Sequence, residues 1–333
     1  MSTRKFAVIG CQHGHISMFI SEMLELGFGC AGIYDKDPDF LARQLCEQFN
    51  VPLVSDPEVL LADEAVEIVG SSGINSEKID VVELCESRGK AVMLDKPAVA
   101  DRAGFERLQA VIGRGRIQVG MLLTERANPT IYTLQKLIEQ GELGEIVSIG
   151  MRKPHRLYPA TRPGWFFDKA QNGGLIIDLL IHDFDQLRWL TGSEIISSEG
   201  YIAKHILPEK PSFYDVTGIQ VTMLNRIVAQ LYTDWHTPEK SWTGVDGRIF
   251  VVGTKGTAEL RLSGDPLIGE GSLLLQIGHD EALKSIPLEA VPYTVSEDFL
   301  ARVDGTAQGV VDHEAILAAT KASVEADEAA RKI

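Results

Sequence analysis

The sequence predicts an α/β chain in two domains. Its 333 residues exceed the size at which one hydrophobic core usually keeps growing. The first 121 residues alternate short β-branched runs with amphipathic stretches, the pattern of a parallel sheet covered by helices. After Met121 the strands become longer and polar at alternate positions, which implies one packed face and one wetted or used face. Domains 1–121 and 122–333 are therefore expected.

In chain order, the first-domain strands are expected at Phe6–Gly10, Cys30–Tyr34, Glu67–Ser71, Ala91–Asp95 and Ile117–Met121. Between them, Pro38–Phe49 and Glu77–Ser87 place apolar residues at helical spacing, with Gly89 suited to a C-cap. A helix around Asn128–Gln140 opens the second domain. Its strands are expected at Ile146–Lys153, Ile195–Lys204, Val216–Met223, Ile227–Trp235, Arg248–Val252 and Thr257–Leu262, the last two joined by the turn Gly253-Thr-Lys-Gly256. An uninterrupted helix over Leu175–Leu190 and a terminal helix from an Asp312 N-cap complete the pattern.

Hydrophobic residues make up 44% of the chain and charged residues 24%, so no segment carries the composition of disorder. A net charge of -15 would repel a phosphate backbone or an anionic membrane, which excludes nucleic acid and membrane surfaces as expected partners. The first apolar run is too short for a signal peptide and no stretch reaches the length of a membrane span, so a cytoplasmic location is expected. Cys11, Cys30, Cys46 and Cys85 lack the paired spacing of zinc sites and read as reduced, small apolar residues.

The first expected strand runs directly into Gly10-Cys11-Gln12-His13-Gly14-His15 and then a helix. There a dinucleotide pyrophosphate can meet helix-terminal N–H groups. Gly10 fits the first glycine of G-x-G-x-x-G, but Gln12 and His15 occupy the other two positions, and Gly14 offers close backbone approach in a reshaped loop. A plain strand-to-helix turn explains the same residues. Asp35, at the end of the second strand, can accept hydrogen bonds from ribose hydroxyls and repel a 2′-phosphate, favouring NAD over NADP; Lys36 beside it works the other way. His13 and His15 have a spacing seen in metal sites, but nothing nearby in sequence supplies further ligands, so no metal is assigned. The imidazoles are placed near the cofactor phosphates or as caps of the following helix.

The run Gly89 through Asp95-Lys96-Pro97 resembles the strand ending in Glu-Lys-Pro of the glucose-fructose oxidoreductase, inositol dehydrogenase and rhizopine-catabolism (Gfo/Idh/MocA) family, with Asp95 in place of Glu. Trp165, then Gly173-Gly174 and Asp178-x-x-x-His182-x-x-Asp185, are similar to the family's Gly-Gly segment and D-x-x-x-H-x-x-D motif. The resemblance implies an N-terminal Rossmann-type doubly wound parallel sheet and a C-terminal α+β domain with a mostly antiparallel open sheet. It also implies NAD(P)-linked hydride transfer to or from a sugar, polyol or sugar derivative. Position by position, Lys96, Asp178 and His182 match the catalytic residues; the residues expected at the cofactor are Gly10, Gln12, His13, Gly14, His15, Asp35, Asp95, Lys96 and Pro97.

On their residues alone these groups stay open. Asp178, His182 and Asp185 at i, i+4 and i+7 make one polar stripe on an apolar helix, and buried polar groups need partners, whether a structural network or a substrate. A strand-end lysine by itself reads as a solvated surface charge. The chemistry suits the family's roles: histidine titrates near working pH, an adjacent aspartate can orient it or hold a hydroxyl, and an ammonium stabilises a developing alkoxide. Trp165 is placed near substrate; Arg156, Tyr158, Arg162, Tyr232, Trp235 and His236 are further candidates for a sugar site. Alternatives on the same scaffold are a redox-neutral NAD-dependent glycoside-cleaving enzyme and a non-catalytic dinucleotide sensor. A homodimer or homotetramer is expected.

Overall fold

The computed structural model describes residues 4–269 and 271–333. They form two compact units that are not contiguous in sequence. The first holds the residues up to Leu123 together with 163–173 and 293–321, and the second holds 124–162, 174–292 and 322–333.

The first unit carries a five-stranded parallel sheet: β1 (Lys5–Cys11), β2 (Gly29–Tyr34), β3 (Val66–Ser72), β4 (Ala91–Leu94) and β5 (Val119–Met121). The order is β2-β1-β3-β4-β5, so the chain leaves β1 for one side and returns on the other at β3. In such sheets the ligand crevice lies beyond the carboxyl ends of the strands at that reversal. Phe6–Ile9, Ile68, Val69 and Val92–Leu94 are buried, consistent with a parallel sheet covered on both faces. The flanking helices include two not singled out from sequence, Pro57–Ala62 and Arg102–Arg114. They are capped by Asp56, which accepts from Glu58 N–H, and Asp101, which accepts from Gly104 N–H.

The second unit carries nine strands: β6 (Ile146–Arg152), β7 (Ile195–Ala203), β8 (Val216–Met223), β9 (Val228–Asp234), β10 (Arg248–Gly253), β11 (Gly256–Arg261), β12 (Leu273–Gly278), β13 (Lys284–Ser285) and β14 (Arg331–Lys332). Their order is β13-β12-β11-β10-β6-β9-β8-β7-β14, antiparallel except for β6 with β9 and β7 with β14. Helices Pro129–Glu139, Leu175–Leu179 and Ile181–Thr191 pack on this sheet. The α/β class, the parallel first sheet and the mostly antiparallel second sheet agree with the sequence.

The expected single helix over Leu175–Leu190 is instead two, broken at Leu180. The terminal helix stops at Ala329, and β14 follows it onto the edge of the sheet beside β7. Among the described residues, no helix is long and apolar enough to cross a membrane.

Candidate active site

In the first unit, Gly10 has φ +88°, a conformation that disfavours a side chain, and a Cβ there would meet Gly73 Cα at 2.9 Å. The ends of β1 and β3 thus close up at the reversal point. A Cβ on Gly14 would meet nothing within 4 Å, so no packing inside the protein requires a glycine there. Beside this junction lies a cleft of about 440 Å³ whose lining includes Gly10, Gln12, Asp35, Lys36, Glu77 and Trp165.

Asp35 is buried and already engaged. It accepts hydrogen bonds from the Cys11 N–H, from the Gln12 side-chain amide at 2.6 Å and from the Asp37 N–H at 2.7 Å. Gln12, which breaks the glycine fingerprint, therefore spans from the loop to the acid at the end of β2. Lys36 is paired with Glu77 at 2.8 Å. The Trp165 indole N–H is buried with no hydrogen-bond partner among the described residues.

His13 and His15 turn toward the end of β4. Their Nδ1 atoms each lie 3.0 Å from a different oxygen of Asp95, which is only 1% exposed. His15 occupies the N-cap position of helix Ile16–Glu25 but makes no side-chain cap bond, which removes the helix-capping alternative. Burial would raise the Asp95 carboxyl, yet the two histidines overcome it and hold the group well below its ordinary value. Burial likewise keeps the His13 imidazole below its usual range, despite Asp95.

Lys96 and Pro97 follow across a cis peptide, and Lys96 is buried. The corner is fastened from below: Lys78, fully buried on helix Lys78–Ser87, donates to the Asp95 carbonyl at 2.8 Å and the Pro97 carbonyl at 2.9 Å. Sequence reading missed Lys78. The available signal was a lysine in the first turn of a helix, the end at which the helix dipole disfavours a cation. Asn75, also missed, donates to the Asn172 carbonyl at 2.8 Å just before the Gly-Gly pair.

In the second unit, Asp178, Asp183 and Asp185 are buried and His182 is half-buried. They do not share one role. Asp185 is clasped by Arg126 through two bonds of 2.8 and 2.6 Å, tying helix Ile181–Thr191 to the turn Thr124–Ala127. Asp178 lies within electrostatic reach of Arg162, whose guanidinium burial pushes down and Asp178 pushes up.

His182 interacts with Glu125, at the centre of a network in which Lys153 and Gln186 both donate to the same carboxylate. Lys153 also pairs with Asp183 at 2.8 Å. Burial pushes Asp183 up to about 6 while Lys153 pulls against it. Glu125, Lys153 and Asp183 were not singled out from sequence. Arg156, Tyr158, Trp235 and His236 line one cavity of about 560 Å³ in this unit. Tyr232 lies elsewhere, on the sheet face opposite Leu231 with Arg152 over its ring. Trp165, expected near substrate, lines the first-unit cleft.

Residues 4–121 match the model of an oxidoreductase family with an NAD-binding Rossmann fold, and residues 131–259 match that of the GFO/IDH/MocA C-terminal domain. Inositol 2-dehydrogenase 2 of Saccharopolyspora erythraea is 24% identical over 235 residues, 69% of this chain and 66% of that protein. Across the first curated relatives the matched stretch covers 52–66% of their length. In fold, the chain is similar to a crystal structure from Erwinia carotovora atroseptica (TM-score 0.90, 24% identity, 99% of this chain and 100% of that one). It is also similar to GenD2 from gentamicin A biosynthesis, solved in complex with NAD (TM-score 0.79, 16% identity, 98% and 94%). Two family models in order, over most of the chain, establish that this protein belongs to the Gfo/Idh/MocA oxidoreductases, with an NAD-binding Rossmann fold followed by the family's C-terminal domain.

Proposed function

We propose that the chain is an NAD-dependent dehydrogenase acting on a CH–OH group of a sugar, polyol or sugar derivative. The observation that carries this is the corner Asp95-Lys96-Pro97. A buried lysine at the carboxyl end of a parallel strand is fixed in place by a second buried lysine, an arrangement too costly for a plain surface turn.

The first unit fits a nicotinamide dinucleotide. Gly10 and Gly73 leave room for backbone approach, Asp35 stands at the ribose position at the end of β2, and the Gly10–His15 loop leads into a helix N-terminus. The His13, Gly14 and His15 segment and the Asp95–Pro97 corner border the remaining length of the cofactor. When bound, the cofactor supplies the hydride acceptor at the nicotinamide C4. NAD is favoured over NADP because Asp35 is an acid at the ribose position and the neighbouring Lys36 is paired with Glu77.

The chain's own residues then divide the work. Lys96 donates to the reacting oxygen and stabilises alkoxide charge, and His182 takes the hydroxyl proton as the carbonyl forms. Glu125 beside His182 stabilises the imidazolium, and Asp178 with Arg162 can hold a neighbouring hydroxyl. The relatives' inositol 2-dehydrogenase activity makes inositols the first substrates to try.

The test is net reduction of NAD and NADP by the purified chain across inositols, aldoses, sugar acids and aminosugars. We expect turnover with a polyol or sugar and kcat/KM higher with NAD by roughly tenfold or more. Retained cofactor with no net reduction but cleavage of a glycoside would replace the dehydrogenase with a redox-neutral enzyme. Binding without any turnover would leave a sensor.

A further inference from the structure

His13, His15 and Asp95 converge in a way the dinucleotide does not explain. The two histidines leave the loop after β1, and Asp95, 80 residues later, ends β4. Their rings stand edge to face, with centroids 4.2 Å apart and an interplanar angle of 80°, so both Nδ1 atoms face one carboxylate. One ligand atom from each residue falls within 4.8 Å of the others.

Ordinary hydrogen bonding accounts for only half of this. His15 Nδ1 makes a well-formed contact with Asp95 Oδ1. His13 Nδ1 is just as close to Oδ2, yet it is a buried nitrogen with no hydrogen-bond partner in acceptable geometry among the described residues. A buried nitrogen 3.0 Å from an oxygen, without a hydrogen bond of good geometry between them, fits two ligands sharing one ion. Two ligands about 2.0–2.2 Å from one ion, at angles between square and tetrahedral, lie roughly 3.0–3.5 Å apart.

We propose that His13, His15 and Asp95 bind one divalent transition-metal ion of the zinc or cobalt type. Two imidazoles and a carboxylate are the donor set that such ions share and that calcium and magnesium do not favour. Three protein ligands leave at least one position for water or another oxygen donor. The loop is braced for this role, because Ser72 Oγ donates to the His13 carbonyl at 2.9 Å. The third ligand that the H-x-H spacing lacked in sequence is supplied by the sheet. The neighbouring Lys96 acts against positive charge at His13, so the ion must be held by direct coordination and not by long-range attraction.

The test uses the full chain, stripped with a chelator and free of nicotinamide cofactor, titrated with Co²⁺ alone and then with Zn²⁺. The expected result is one equivalent of Co²⁺ with visible ligand-field bands of low coordination number, displaced by Zn²⁺. His15→Gln, at a side chain 49% exposed and therefore tolerant of change, should weaken Co²⁺ binding by on the order of 100-fold with an unchanged circular dichroism spectrum. His13→Gln should do the same. Absence of Co²⁺ bands in the native chain at micromolar concentrations, or bands that survive His15→Gln, would overturn the site and leave the histidines as hydrogen-bond partners of Asp95.

Discussion

Replacing Lys96 by Met deletes an ammonium while keeping the length and apolar packing of its stem. If the charge works on the reacting oxygen as it becomes alkoxide-like, kcat should fall on the order of 100-fold with a near-normal melting temperature. Lys96→Arg should fail as well, because a planar guanidinium cannot put a compact charge at the same point. A methionine variant that is normal at saturating substrate and raised only in KM would make Lys96 a binding residue. His182→Asn should cost about 100-fold or more in turnover and change the pH profile of kcat/KM, with NAD affinity retained. An unaltered ionisation would assign that pH dependence to another group. Lys96, Asp178 and His182 were legible because their motifs are local runs. Glu125 and Lys153 were not: they meet Asp183 and Gln186 only after β6 and helix Ile181–Thr191 are packed, and no spacing in the chain announces such a meeting.

At the scale of elements, the strands were readable because β-branched runs end at glycines and helices. Two helices were passed over although their punctuation is present, Asp56-Pro57 for one and Asp101 with Gly115 for the other. Cap chemistry marks both, and in the second Phe105, Leu108, Val111 and Ile112 also recur at helical spacing; the first, at six residues, is too short for periodicity to mark. The break at Leu180 is different: it falls inside Leu-Ile-Ile-Asp-Leu-Leu-Ile, with no glycine or proline to mark it, and nothing in the structure explains it. The corner after β4 depends on an element outside its own motif. Lys78→Met removes the donor to two carbonyls inside the protein, which should cost about 2–4 kcal/mol of stability by denaturant titration. It should also lower kcat by loosening Lys96. A stable variant of normal turnover would show that Pro97 and the β4 register hold the corner unaided.

On the scale of the whole molecule, the nine-stranded sheet has one face under helices and, among the described residues, one without such cover. Register places Tyr201, Val228, Phe250, Val252 and Ile277 on the second face, each at least 40% exposed. Alternation in the sequence foretold a face either wetted or used, and large apolar side chains exposed there among Gln220, Gln230 and Thr257 argue for use. A second copy of the chain is the occupant the sequence led us to expect, and a two-fold axis would let the same patch serve both partners. Each copy brings a net charge of -15, so association works against mutual repulsion. Self-association through this face should therefore strengthen as salt screens that repulsion, and light scattering should find a dimer or tetramer that is firmer at high than at low ionic strength. Phe250→Glu with Val252→Glu puts two like charges into the patch of each copy and should yield a monomer with an unchanged circular dichroism spectrum. If the doubly substituted chain keeps the native assembly, subunits meet elsewhere; if the native chain is already monomeric at every salt concentration, the exposed face has another partner.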